Sequence, residues 1–370
     1  IWRGPGPADP PQPMSPALPI ETDALVIGAG PVGLFQAFQL GLQGLRAHVV
    51  DTLAEAGGQC VALYPDKPIY DIPGIPRCTG RELAAQLLAQ VRPFAPGFHF
   101  GQEISQLQRQ ADGRWLADTT AGQRFQARTV FIAAGVGAFV PRTLRVDGLA
   151  AFEGSQVHYN QPPDATALAG QRVVVTGGDA SAVQAAVTLA AAAQAGSPAP
   201  RQVTLLHRKD AFEAEPALLQ ALQHLRQAGL LRVQLGQPIG VQTHATPQGE
   251  RLTGLQIATD DDTEHTLPLD SLQAYLGLSP RLGPLAQWGL AMERKLLPVD
   301  AATFSTAETG LFAVGDINHY PGKRKLILCG FHEATLAAFA AVALVHPEQP
   351  VRLQYTTTST LLQQRLGVAH

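Results

Sequence analysis

Cysteine is scarce in this chain of 370 residues, which has only Cys60, Cys78 and Cys329. Three thiols, odd in number and far apart in a large domain, suit a reducing cytosol better than a disulfide framework, so a cytoplasmic location is expected. Charge is low as well. Charged residues make up 15% of the chain and the formal net charge is −3, so the basic excess that would neutralise nucleic-acid phosphates or anionic lipid is missing. Neither nucleic acid nor a membrane is an expected partner. Long apolar runs are lacking too. The stretches Ala180–Gly196 and Ala334–Val345 are alanine-rich, and the first is interrupted by Gln184 and Gln194. Both fall short of the roughly 18 uninterrupted apolar residues that a span requires. The segment Ile1–Pro19 is crowded with proline and glycine and has no hydrophobic periodicity, so it cannot build a core. It also lacks the apolar centre of a signal peptide. Met14 stands where a natural start could be, and Ile1–Pro13 could be foreign to the native product. Residues 1–20 are therefore expected to be a flexible leader.

What is present points to two packed domains, since the chain is 45% hydrophobic and long enough to bury two cores. The apolar run Ala24–Ile27 leads into Gly28-Ala29-Gly30-Pro31-Val32-Gly33 and then the helical pattern Leu34–Leu42. A second apolar run, Ala47–Val50, ends in Asp51. Strand, glycine turn, helix and a following acid describe a dinucleotide-binding unit. Gly28 permits the tight turn, Gly30 admits the pyrophosphate, Gly33 lets helix and strand pack, and Asp51 meets the adenosine ribose.

A second unit of this kind starts at Arg172. Val173–Val175 precedes Gly177-Gly178-Asp179-Ala180-Ser181-Ala182 and an alanine-rich helix through Ala193. Gly177, Gly178 and Ala182 form its turn. Its next strand, Val203–Leu206, runs into His207-Arg208-Lys209, so that the basic pair Arg208 and Lys209 replaces the acid. Positive charge there suits a 2′-phosphate. A solvated basic loop is the plainer alternative.

Two further apolar strands end in glycine, at Thr129–Gly135 and Thr309–Asp316, and the second leads to a helical stretch over Phe331–Ala343. This reads as a return to the first domain. The expected organisation is α/β, with two Rossmann-like, three-layer ββα domains and the second inserted in the first. Residues 21–137 and 286–370 form one domain and 138–285 the other.

Several segments carry more information than either glycine loop. They are Gly57-Gly58-Gln59, Leu63 to Asp71, Val314 to Asn318, Tyr320-Pro321-Gly322-Lys323, Gly330 to Ala334, and the tail Tyr355-Thr356-Thr357-Thr358-Ser359. With them the chain resembles the ferredoxin–NADP reductases of the thioredoxin-reductase-like type, flavoproteins of the pyridine nucleotide-disulfide oxidoreductase architecture that lack the redox-active cysteine pair. The resemblance covers Glu21 to about Val368. It implies that Gly28, Gly30, Gly33, Asp51 and Gln59 hold the adenosine and pyrophosphate half of FAD, and that Asp316 meets its ribityl-phosphate region. It further implies that Tyr64 stacks on one face of the isoalloxazine. Tyr355, supplied across a homodimer, covers the other face, with Thr356 near N5. By residue type alone, Tyr64 could equally be a core aromatic and Tyr355 a rim residue. The implied activity passes electrons between NADPH and ferredoxin or flavodoxin through FAD, with NADPH in the inserted domain. Ferredoxins are usually acidic, which makes Lys67, Arg281, Lys323, Arg324 and Lys325 candidates for a docking patch.

Cysteine placement separates this family from its neighbours. No cysteine lies between Cys78 and Cys329, so the Cys-x-x-Cys of a thioredoxin reductase is absent. Pro65 stands where a glutathione-reductase-like partner of Cys60 would be. Cys60 is then a buried small side chain.

Two positions depart from the family pattern. Asp179 stands at the third glycine of the usual Gly-Gly-Gly-Asp-Ser-Ala, and Glu213 replaces an arginine in Phe212-Glu213-Ala214. A carboxylate about 4 Å from a pyrophosphate oxygen is repelled by on the order of 4 kcal/mol at an effective dielectric near 20. Either Asp179 turns outward and NADPH still binds, or the protein is a dimeric flavoprotein with impaired nicotinamide binding that takes electrons directly from a carrier or serves as a binding partner.

Overall fold

In the computed structural model, residues 18–261, 263–348 and 353–368 are described. The expected leader falls mostly outside them, and regular structure begins at Ile20. The chain divides into two compact units, one formed by residues 1–138 and 280–370 and the other by residues 139–279. The return to unit 1 comes earlier than the expected residue 286. The reason is Leu285, which is buried in the core of unit 1 with Ile104, Leu107 and Trp115.

In chain order, unit 1 opens with β1 (Ile20–Ile27), α1 (Pro31–Leu42), β2 (Ala47–Val50), α2 (Gln59–Ala62) and α3 (Gly80–Val91). Strands β3 (Gly97–His99), β4 (Ile104–Arg109), β5 (Trp115–Thr119) and β6 (Arg124–Ile132) follow. Unit 2 then supplies β7 (Val157–Tyr159), β8 (Arg172–Thr176), α4 (Ala180–Gln194), β9 (Gln202–His207), α5 (Pro216–Gln227) and β10 (Leu231–Leu235). It ends with β11 (Gln237–Thr246), β12 (Gly249–Ala258), β13 (Glu264–Pro268) and β14 (Ser271–Ala274). The chain returns to unit 1 with β15 (Leu311–Ala313), α6 (Ile327–Val345) and α7 (Thr360–Arg365).

The sheet of unit 1 runs β3-β2-β1-β6-β5-β4. Strands β3, β2, β1 and β6 are mutually parallel, while β5 and β4 continue from β6 as antiparallel neighbours. Strand β15 lies parallel to the last residues of β6. Side-chain alternation makes three layers. Ala24, Val26, Val49 and Phe131 face α1, α3 and α6, while Leu25, Ile27, Val50 and Val130 face the antiparallel layer around Trp115 and Phe125. A strand buried on both faces reads as a continuous apolar run, which is why these strands are visible in the sequence.

Unit 2 repeats the plan with a parallel sheet ordered β7-β14-β8-β9-β10. Val173 and Val175 face α4 and α5, whereas Val174 packs with Leu252, Leu255 and Ile257 of the antiparallel layer β11-β12-β13.

Helix α6 starts earlier than the sequence pattern suggests and runs for 19 residues. By length and composition it is apolar enough to cross a membrane. Its buried residues Ala337, Ala338, Ala341, Val342 and Val345 pack into the core of unit 1.

Candidate functional site: two glycine turns

In unit 1 the turn between β1 and α1 is tied from three sides. Gly28 N–H donates to Val50 O at 2.8 Å, Ala29 N–H to Asp51 Oδ2 at 2.6 Å, and Gly57 N–H to Ala29 O at 2.9 Å. Gly28 has φ +110°, and a Cβ there would lie 2.4 Å from Ala133 O. A Cβ on Gly33 would lie 1.9 Å from Gly28 O. Both glycines are demanded by the fold itself. Gly30 is different. It caps α1 in extended backbone with no side-chain bond, and a Cβ there would approach nothing closer than Gly58 Cα at 3.9 Å. The fold does not need a glycine at this position, whereas a phosphate approaching the helix N-terminus does.

Of the remaining predicted residues of unit 1, Asp51, Gln59 and Asp316 lie by this turn and Tyr64 lies against Cys60, with two exceptions set apart. Asp51 also accepts from Leu53 N–H at 2.8 Å. Burial pushes its carboxyl up, against the pull of the Ala29 and Leu53 amides. Gln59 opens α2, and its side-chain amide packs against Gly135. Gly315, beside Asp316, and Gly330 of α6 both pack on Val32, at the start of α1. The Tyr64 hydroxyl lies 3.5 Å from Cys60 Sγ. Burial pushes the Tyr64 phenol and the Cys60 thiol up, and the nearby Asp316 carboxylate adds to both shifts. Tyr64 and Cys60 are thus brought together, with Asp316 near enough for its charge to act on both. Cys60 is 1% exposed.

Tyr355 and Thr356 are the exceptions. Both are exposed on a turn in which Ser359 N–H donates to Tyr355 O at 2.8 Å. The turn leads into α7, whose Leu362 is buried in the core of unit 1. Arg365 Nη1 donates to Leu42 O at 2.5 Å. Helix α7 is therefore anchored at the far end of α1, about 18 Å of helix from the glycine turn.

The sequence reading missed a buried ion pair behind Asp316. Glu333 of α6 is 0% exposed and accepts from Gly315 N–H at 2.7 Å, Asn318 Nδ2 at 2.8 Å, Tyr320 OH at 3.0 Å and Lys323 Nζ at 2.5 Å. Lys323 Nζ also donates to Gly315 O at 2.9 Å. The Lys323 side chain is only 6% exposed, so it is a structural cation and not a docking charge. The signal in the sequence was a lone acid inside an otherwise apolar helix, a residue type that is almost never buried unpaired. Lys67, Arg281, Arg324 and Lys325 are exposed.

In unit 2 the corresponding turn repeats two of these three bonds, the two between backbone groups. Gly177 N–H donates to Leu206 O at 3.3 Å, and Glu213 N–H to Gly178 O at 2.9 Å. These bonds pair Gly28 with Gly177, Gly30 with Asp179, Gly33 with Ala182 and Gly57 with Glu213. They also pair Asp51 with His207, so the residue standing in the acid's place is His207, with Arg208 and Lys209 following as exposed side chains. The His207 ring lies against Gly178, where an added Cβ would come within 2.4 Å of it. Asp179 has not turned outward. It is the N-cap of α4, and its Oδ1 accepts from Ala182 N–H at 3.0 Å.

The model of the pyridine nucleotide-disulphide oxidoreductase family matches residues 22–338. The chain belongs to this family. Within it, the chain is 59% identical over 353 residues to a ferredoxin–NADP reductase of Paracidovorax citrulli, covering 95% of this chain and 97% of the relative. It is 56% identical to a ferredoxin–NADP reductase of Verminephrobacter eiseniae, covering 95% and 98%. Among solved structures, T. acidophilum thioredoxin reductase matches with TM-score 0.55 at 21% identity, covering 87% of this chain and 98% of that one. The bacillithiol disulfide reductase of Staphylococcus aureus matches with TM-score 0.57 at 18% identity, covering 88% and 99%. These two likenesses concern the fold alone.

Proposed function

We propose that the protein is a FAD-dependent ferredoxin (or flavodoxin)–NADP reductase that passes electrons between NADPH and a one-electron carrier. The observation that carries this reading is near-full-length identity of 59% to a relative of that name. It is joined to a unit 1 turn whose open position, Gly30, is the one a pyrophosphate would use. The residues of unit 1 fit FAD. Gly30 leaves a cradle that a Cβ would fill, the amino end of α1 carries no side-chain cap, and Asp51 is held by two backbone amides.

FAD, when bound, supplies two-electron exchange with a nicotinamide and one-electron exchange with a carrier. The chain binds and orients it. The amides at the start of α1 face the pyrophosphate, Asp51 accepts from the adenosine ribose hydroxyls, and Gln59 supports the same half. Asp316, fixed through Gly315 and Glu333, orients the ribityl end. Tyr64 stacks on the isoalloxazine, its phenol kept protonated by burial. Tyr355 and Thr356 act across a homodimer, Tyr355 excluding water from the other face and Thr356 offering a hydroxyl to N5. The anchoring of α7 at the far end of α1 favours such a role for the tail. NADPH enters unit 2 at Gly177, Gly178 and Ala182, with Arg208 and Lys209 toward its 2′-phosphate. The exposed Lys67, Arg281, Arg324 and Lys325 attract an acidic carrier. The setting is cytoplasmic, with neither nucleic acid nor membrane as partner.

A second reading, a dimeric flavoprotein with impaired nicotinamide binding, is favoured by the position of Asp179 at the amino end of α4. Anaerobic stopped-flow mixing with NADPH, and separately with NADH, tests between them. Rapid saturable bleaching of the flavin by NADPH at micromolar concentration supports the reductase. Bleaching by reduced ferredoxin alone, with neither nucleotide effective at millimolar levels, replaces it with the second reading.

A further inference from the structure

The two glycine turns are the same object built twice, which makes the differences between them informative. In unit 1 the N-cap of the helix is Gly30, with no side chain, and the helix amides behind it are open to an anion. In unit 2 the N-cap is Asp179, whose own carboxylate takes the Ala182 N–H. The crossing loop shows the same contrast. Where Gly57 donates to Ala29 O in unit 1, Glu213 donates to Gly178 O in unit 2, and Asp179 and Glu213 are directly bridged. The position that admits a pyrophosphate in one unit is filled by an internal anion in the other, with a second acid beside it.

We infer that Asp179 is an affinity-setting residue that holds down the binding of a dinucleotide to unit 2, because its carboxylate occupies the helix end that the pyrophosphate must use. This rests on the reading of unit 2 as the NADPH site. To bind, the nucleotide must displace the Asp179–Ala182 bond and then lie beside the displaced carboxylate. Both costs are absent at Gly30. The remaining attraction comes from Arg208 and Lys209, which are exposed and screened by salt.

The test is isothermal titration of the flavin-loaded protein with NADP+, comparing the natural protein with Asp179→Ser, Asp179→Asn and Asp179→Gly. Serine and asparagine keep the helix cap while removing the charge, so loss of affinity through unfolding is guarded against. Each variant is expected to bind at least about tenfold more tightly than the natural protein, a change equivalent to ~1.4 kcal/mol. Binding by the serine and asparagine variants within about threefold of the natural protein, on the scale where 1.4 kcal/mol is tenfold, overturns the inference while leaving the reductase reading intact. If none of the four proteins binds NADP+ at millimolar concentration, the inference and the assignment of unit 2 to NADPH fail together.

Discussion

The turn at Gly28–Gly33 and the turn at Gly177–Ala182 share two backbone hydrogen bonds and differ in what stands at the helix N-cap. Gly28 and Gly177 both have positive φ, and in both turns a Cβ would strike the carbonyl of the neighbouring strand, Ala133 O in one and Tyr275 O in the other. That glycine is a requirement of the fold, so it persists whatever the unit binds. Gly30 and Asp179 occupy a position about which the fold is indifferent, and there the units part. A glycine motif therefore mixes two kinds of information, and only the middle glycine reports on the ligand.

Substitutions can break this comparison at several points. The largest effect is expected at the buried ion pair that supports the turn of unit 1. Glu333→Ala would leave Lys323 buried without its partner and is expected to cost about 3–5 kcal/mol of stability, read from denaturant unfolding, with Glu333→Gln milder. Gly30→Asp transplants the cap of unit 2 into unit 1. Folding should survive, since aspartate is a good N-cap, but FAD affinity should fall by a factor between about ten and a thousand, read from flavin fluorescence on dilution. Gly28→Ala attacks the fold instead of the ligand and is expected to cost on the order of 3 kcal/mol even in the flavin-free protein. If Gly28→Ala and Gly30→Asp behave alike, the division between structural and ligand glycines is wrong.

A smaller effect concerns pH. His48 Nδ1 and His99 Nε2 lie 2.8 Å apart on β2 and β3, and His99 O accepts from Asp51 N–H at 3.0 Å. Burial lowers the pKa of both rings, with the charges of His99 and Arg46 adding to the shift of His48 and the Gln123 side chain opposing that of His99. Groups with a depressed imidazolium pKa hold fewer protons when folded than when unfolded. Their contribution is therefore intact above the unfolded value near 6.5 and is lost as pH falls below it toward the folded values. The melting temperature should decline between pH 7 and pH 5.5, and His48→Gln should flatten that decline. In unit 2, His207 is likewise lowered by burial, then by Arg208, so both units contribute slopes of the same sign.

The architecture was legible because its strands are buried on both faces and its turns are punctuated by glycine. Val173–Val175 and Ala24–Ile27 announce themselves as apolar runs, and Asp51 follows its strand directly. Less was legible wherever geometry depends on register across the sheet. Arg208 and Lys209 are the charged pair that draws the eye after the second strand, but the position equivalent to Asp51, fixed by the bond from Gly177 to Leu206, is His207. Lys323 looks like a surface charge because its neighbours Arg324 and Lys325 are exposed. Only the approach of α6, distant in sequence, buries it against Glu333. The exit from unit 2 was misplaced for a similar reason, since the destination of Leu285 is a core formed by Ile104 and Trp115.

The packing of α6 on α1 also sets an order of assembly. Unit 2 is one continuous stretch, so every strand and helix that it requires has been synthesised once residue 279 is made. Unit 1 must wait, because β15 and α6 are needed to complete its sheet and to cover α1. During synthesis the inserted unit can finish folding while the first glycine turn still lacks its supporting helix, and contacts of such long sequence separation form slowly. Cofactor loading on unit 1 is in this way tied to the synthesis of α6, an apolar helix that stays uncovered until it docks.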